Sequence, residues 1–166
     1  MFTNEEAKEL IEIKKILEKP NQELSFSTEK LRIDLIVPGE PDYKFFIDVN
    51  PYKRIQFKLT LHSQEKFNNV GLLRIDFKGS HNNPEHILDT LPNFLRPYVG
   101  MEFRREAHIH FYVEGYKPLV WAMPLSKYSF DIKKLNSEED YVTALVNFAK
   151  LLNVQSKLNV QMAMSI

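Results

Sequence analysis

The run RIQFKLTLH, residues 54–62, sets Ile55, Phe57, Leu59 and Leu61 on one side and Arg54, Gln56, Lys58, Thr60 and His62 on the other. Strict alternation marks a strand with one face buried and one turned to water. The same period recurs around it. LRIDLIV (31–37) alternates Leu31, Ile33, Leu35 and Val37, and YKFFIDV (43–49) alternates Tyr43, Phe45, Ile47 and Val49. LLRIDF (72–77) puts Leu73, Ile75 and Phe77 on one face. Turn residues punctuate the runs: Pro38-Gly39 and Pro41-Asp42, Asn50-Pro51, and Asn68-Asn69. Connections this short join antiparallel neighbours. AHIHFYVE (107–114) and PLVWAM (118–123) supply two further strands on either side of Gly115-Tyr116.

Two helical patterns flank the strands. Thr3 and Glu6 have the spacing of a capping box, and Ala7, Leu10, Ile11 and Leu17 share a stripe, so a helix is expected from about Asn4 to Leu17, stopped by Pro20. A second is expected from about Glu138 to Leu152, capped by Ser137 and Asp140, with Tyr141, Leu145, Phe148 and Leu152 inward. The tail alternates Leu158, Val160, Met162, Met164 and Ile166, as a last strand would. The stretch 79–106 holds Pro84, Pro92, Pro97 and Gly100 and reads as a long irregular loop. The expected fold is α+β: a mainly antiparallel sheet of about six strands against two helices, in a single domain over residues 1–166.

Composition narrows the function. The 166 residues carry 22 Lys+Arg against 22 Asp+Glu, a formal net charge of +0, which argues against binding nucleic acid by bulk charge. Zero cysteines exclude disulfides, thiolate nucleophiles and Cys-based metal sites. The N-terminus has no signal-peptide pattern and no apolar run approaches the ~20 residues of a membrane span, so a cytoplasmic protein is expected. Nucleotide-loop, dinucleotide-binding and zinc-protease motifs are absent, and no cofactor is expected.

Histidine is then the side chain poised for proton transfer near neutral pH. Four of the five lie between positions 81 and 110: His81, His86, His108 and His110. His108 and His110 are two apart on a strand, hence on one face, with Cα atoms roughly 6.5–7 Å apart. Tyr112 and Glu114 continue that face, and Ala107, Ile109, Phe111 and Val113 form the core side. One imidazole can serve as general base and the other as general acid. Cleavage of RNA by 2′-OH attack needs such a pair plus a cation, for which Arg104 is the candidate, with His81 as third member and Tyr112 orienting the phosphate. Lys53, Arg54 and Lys58 form a basic stripe that reads as an ordinary solvent-facing strand, and His62 as its end.

The segments LLRIDFKGSHNNPEH, HIHFYVEGY and WAMPL resemble an uncharacterised family of small bacterial and archaeal proteins. Its pattern is a Leu-Arg-x-Asp strand (Arg74, Asp76), a His-x-Asn-Pro turn (His81, Asn83, Pro84), a His-x-His-x-Tyr-x-Glu-Gly-Tyr strand and turn (His108 to Tyr116) and a Trp-Ala-x-Pro-Leu segment (from Trp121). The connection between His81 and His108 is longer than that pattern implies. HNNPEH followed by HIH is also similar to His-rich toxins of toxin–antitoxin pairs. That likeness implies a toxin-like ribonuclease from a bacterium, phage or mobile element.

Three readings follow. The first is that ribonuclease, with RNA as substrate and no metal ligand assigned. The second is a non-enzymatic binding protein of a phage or mobile element that inhibits a bacterial defence or nucleic-acid enzyme; an antitoxin is the protein partner of the first reading. The binding protein's surface would be built from Phe94, Tyr98 and Phe103 with Arg96 and Arg105, since aromatics and Arg anchor interfaces. The third is a hydrolase whose metal is held by His108, His110 and a third ligand. The oligomeric state has no signature in the sequence.

Overall fold

The computed structural model describes residues 1–27, 29–52 and 56–163. Seven strands form the main sheet: β1 (Ile16–Leu17), β3 (Leu31–Val37), β4 (Glu40–Asn50), β5 (Leu59–Glu65), β6 (Val70–Asn82), β7 (Glu102–Phe111) and β8 (Trp121–Pro124). They lie in the order β1-β3-β4-β5-β6-β7-β8, every neighbouring pair antiparallel. Helices α1 (Asn4–Glu12) and α2 (Glu139–Leu151) stand near the two ends of the chain. β2 (Glu23–Phe26) and β9 (Asn159–Met162) make a separate parallel pair. The α+β class is as the alternation implies.

The alternating residues form the core. Ile33, Leu35, Ile47, Val49, Leu59, Leu61, Ile75 and Ile109 are buried together with Leu145 and Phe148 of α2. Each such side chain contributes roughly 1.5–3 kcal/mol of transfer free energy, which fixes the strand registers, since a one-residue slip would turn the whole set outward. At the start of α1, Glu6 N–H donates to Thr3 Oγ1 and Thr3 N–H donates to Glu6 Oε2, the expected capping box.

Several boundaries differ from the sequence pattern. α1 stops at Glu12 rather than Leu17, because Ile16 and Leu17 leave the helix to pair with Ile36 and Leu35 at the sheet edge. β5 begins at Leu59; Phe57 has φ +58 and sits in a turn, while Arg54 and Ile55, like Lys53, lie outside the described residues. Met164 and Ile166 of the tail lie outside them as well. Asp140 accepts from the N–H groups of Asn136 and Ser137 just ahead of α2, but the helix starts from Glu138 with no side-chain cap, so Ser137 does not cap it as expected.

The irregular stretch is shorter than 79–106, because β6 continues to Asn82 and β7 starts at Glu102. The connection, residues 83–101, is tied down. Asn83 N–H donates to the Met101 carbonyl, Gly100 N–H to that of Pro84, and Leu91 and Leu95 are buried. Asn83 also pairs with β8 in the manner of a strand: its Nδ2 donates to the Ala122 carbonyl and its Oδ1 accepts from Ala122 N–H.

Candidate functional site

On the sheet face opposite the aliphatic core, the registers line up two rows of polar residues across β4 to β7. One runs Asn50, Thr60, Asp76, His108; the next runs Asp48, His62, Arg74, His110. Period 2 puts both histidines on one face, as the sequence implies. That face is not solvated here. His108 and His110 are wholly buried, each 0 % exposed, and Asp76 is buried beside them.

Both imidazoles are oriented by main-chain carbonyls. His108 Nδ1 lies 2.8 Å from the Glu106 carbonyl oxygen, and His110 Nδ1 lies 2.8 Å from that of Leu119. A carbonyl only accepts, so each Nδ1 carries the proton and donates it. Burial pushes His110 down to about 4 and lowers His108 as well, so both rings are neutral at pH 7. Their Nε2 atoms therefore present lone pairs, and both face one carboxylate oxygen. Asp76 Oδ2 is 3.0 Å from His110 Nε2 and 3.7 Å from His108 Nε2. Among the described residues the His108 Nε2 has no hydrogen-bond partner.

Asp76 is held from the other side by Thr60 Oγ1, which donates to Oδ1 at 2.5 Å, and by Arg74 Nε, which donates to Oδ2 at 2.8 Å. Arg74 Nη2 also donates to His110 Nε2 at 3.0 Å. Burial favours the protonated carboxyl, but the Arg74 guanidinium and the Thr60 hydroxyl outweigh it and hold Asp76 well below the usual carboxylate range. The guanidinium bridges two groups, a carboxylate and an imidazole lone pair, that would otherwise repel. Three ligand atoms, one each from Asp76, His108 and His110, lie within 4.8 Å of one another, a spacing at which one metal ion can take all three. The carbonyls behind each Nδ1 are the outer-shell partners that metal-ligating histidines require.

Two bulges decide what else reaches this cluster. Between Asp76 and Gly79 β6 has an extra residue against β7, and between Gly79 and His81 β7 has the extra one; Lys78 (φ +58) and Arg105 (φ +54) take up the left-handed turns. Each bulge reverses the side-chain parity beyond it. His81 is thereby brought onto the face of Asp76, with its ring 4.6 Å from that of His110 and its Nε2 donating to the Val120 carbonyl. Phe103, not Arg104, covers His108, at 4.7 Å between ring centres. Gly79 sits where a Cβ would come within 2.9 Å of Asp76 Cβ and 3.1 Å of His108 Cε1, so the hairpin can close over the cluster only without one.

The remaining expected site residues disperse. Arg104 is exposed and paired with Glu102, so it is no clamp on the cluster; the cation there is Arg74. β7 ends at Phe111, so Tyr112 and Glu114 leave its face. Tyr112 Oη donates to the Phe2 carbonyl and Glu114 accepts from Asn4 N–H, which clamps the start of α1. His86 lies against the Tyr116 ring, outside the cluster. The proposed contact surface breaks up too: Phe103 is buried and Tyr98 half-buried, leaving Phe94, Arg96 and Arg105 exposed.

Arg74, Asp76 and Thr60 were passed over as site residues. The signal was present for all three: Thr60 lies on the polar side of RIQFKLTLH, and once Leu73, Ile75 and Phe77 are assigned to the core, Arg74 and Asp76 must share the opposite face, by the same parity that singles out His108 and His110. Among the described residues no helix is long and apolar enough to cross a membrane.

No curated protein and no solved structure matches the chain. A family model does, over residues 2–154, and it spans both the sheet and the Asp76, His108, His110 cluster; the chain belongs to the family of unknown function DUF6978.

Proposed function

We propose that the chain is a metal-dependent hydrolase whose divalent cation is held by Asp76, His108 and His110. The observation that carries this reading is the His108 Nε2 lone pair. It is wholly buried, has no partner among the described residues, and points at the same carboxylate as the His110 Nε2. An orphaned acceptor in a low-dielectric interior costs roughly 1–3 kcal/mol, and a cation coordinated there would remove that cost. Two imidazoles and one carboxylate suit zinc and other first-row metals and leave coordination positions for water and substrate. The chemistry a bound cation supplies is a water ionised near neutral pH and a polarised ester oxygen.

The metal-free ribonuclease reading has less support. Each imidazole spends Nδ1 on a carbonyl and aims Nε2 at Asp76, so neither ring turns a nitrogen outward to a substrate hydroxyl. The binding reading loses Phe103 as a contact, because that ring is buried against His108.

The test is calorimetric titration of purified protein with Zn²⁺ and Mn²⁺, alongside Asp76→Asn and His108→Ala. Wild type should bind one ion per chain and the variants should not. Hydrolysis of RNA and of bis(p-nitrophenyl) phosphate should then depend on the metal and stop with a chelator. A folded wild-type protein that takes up less than about 0.1 ion per chain overturns the proposal, given the affinity such sites have.

A further inference from the structure

The polar face holds two arginines in one cross-strand row, and they are used differently. Arg32 makes a two-pronged pair with Asp48, Nε to Oδ1 and Nη2 to Oδ2, both at 2.7 Å. Arg74 makes no such pair. It spends Nε on Asp76 Oδ2 and Nη2 on the His110 Nε2 lone pair. Among the described residues its Nη1 donates to nothing, and its side chain is 33 % exposed beside partners that are almost fully enclosed. The guanidinium thus touches two of the three atoms that a metal would take, from the solvent side of the cluster.

Resting on the metal reading above, we propose that Arg74 is the substrate-anion residue of this site, and that it stands in for the cation until the cation arrives. A divalent ion on Asp76, His108 and His110 takes over the His110 Nε2 lone pair and shares the Asp76 carboxylate. Arg74 then loses its Nη2 acceptor and is repelled by the ion. The freed fork, Nη2 together with the unpartnered Nη1, is shaped for two oxygens of one oxyanion. One carboxylate against a divalent cation and a guanidinium leaves two positive charges in surplus. That surplus favours an anion, and the tetrahedrally set non-bridging oxygens of a phosphoryl group can span the ion and the guanidinium where the planar pair of a carboxylate is held closer together. The substrate class is accordingly a phosphate ester. Cation and anion bind cooperatively, each removing what opposes the other, and the coupling is reciprocal.

The experiment is titration of the full chain with Mn²⁺, with and without millimolar dimethyl phosphate, a diester probe, and with acetate as the carboxylate control. Wild type should bind Mn²⁺ about tenfold more tightly with dimethyl phosphate present and unchanged with acetate. Arg74→Gln should bind Mn²⁺ more tightly than wild type in plain buffer, because the internal cation is gone, and should ignore dimethyl phosphate. Arg74→Lys keeps the charge without the fork, so it should bind Mn²⁺ as weakly as wild type and lose the coupling. Wild type that binds Mn²⁺ indifferently to dimethyl phosphate, or Arg74→Gln that keeps the coupling, overturns the role of Arg74 while leaving the metal site standing. Equal coupling by acetate overturns the phosphate assignment. Wild type that binds no Mn²⁺ and no Zn²⁺ overturns the metal site and this inference with it.

Discussion

Lys15 and His108 are both polar side chains with no exposed surface, and they are partnered in opposite ways. The Lys15 ammonium donates to the carbonyls of Ile11, Ile13 and Leu152, at 2.9, 2.9 and 3.0 Å, and lies over the Phe45 ring. Three donors meet three acceptors, which joins the open end of α1 to the end of α2. The Asp76–His108 cluster has the reverse balance: two lone pairs and a carboxylate meet at one point, and among the described residues the donors that serve it are Arg74 and the Thr60 hydroxyl. A buried charge with every valence filled is structural. On the proposed reading, a buried cluster with acceptors in surplus is arranged for a cation that folding alone does not supply.

That contrast can be broken at either end. Lys15→Met should cost the largest amount, about 3 kcal/mol in urea unfolding, because three carbonyls lose their donor, and it should leave metal affinity unchanged. Asp76→Asn should do the opposite, lowering metal affinity more than about 100-fold, or about 2.7 kcal/mol, in calorimetry. If the two variants swapped phenotypes, the division between knot and site would be wrong. Gly79→Ala should push Asp76 and His108 apart and weaken metal binding about tenfold, with the loss visible in the same titration.

The pH response separates the regions as well. Burial on its own pushes Lys15 down to about 7. A lysine whose pKa is depressed in the native state makes stability rise with pH, from the folded value up to the unfolded value near 10.5. The three carbonyls accept only from N–H and favour the ammonium, so wild-type stability should stay nearly flat from pH 7 to about 9. A rise of about 1.4 kcal/mol per unit that Lys15→Met removes would show that burial wins. The smallest effect belongs to Arg104→Ala. An exposed pair with Glu102 should be worth less than about 0.5 kcal/mol, and metal affinity should not move.

The candidate site was half legible in the sequence. His108 and His110 follow from period 2, and Arg74 and Asp76 from the same count on LLRIDF. The count fails beyond a bulge, which is why Arg104 was expected over the cluster and Phe103 lies there. Lys78 and Arg105 have no sequence feature that marks a left-handed residue; glycine or asparagine would have. The end of α1 was illegible for another reason: Ile16 and Leu17 continue the helical stripe, and only a strand distant in sequence, β3, offers them a better partner.

Alternation of apolar and polar residues was enough to determine the α+β class, the antiparallel sheet and the shared face of the two histidines, because side-chain direction along a regular strand is a local property. Which polar residues converge was decided by the tertiary structure. Register, bulge position and the carbonyls of Leu119 and Val120 folding back over the sheet are set by packing between distant segments. Those long-range choices turned a face expected to meet water into a closed one, where a histidine nitrogen is left without a partner among the described residues.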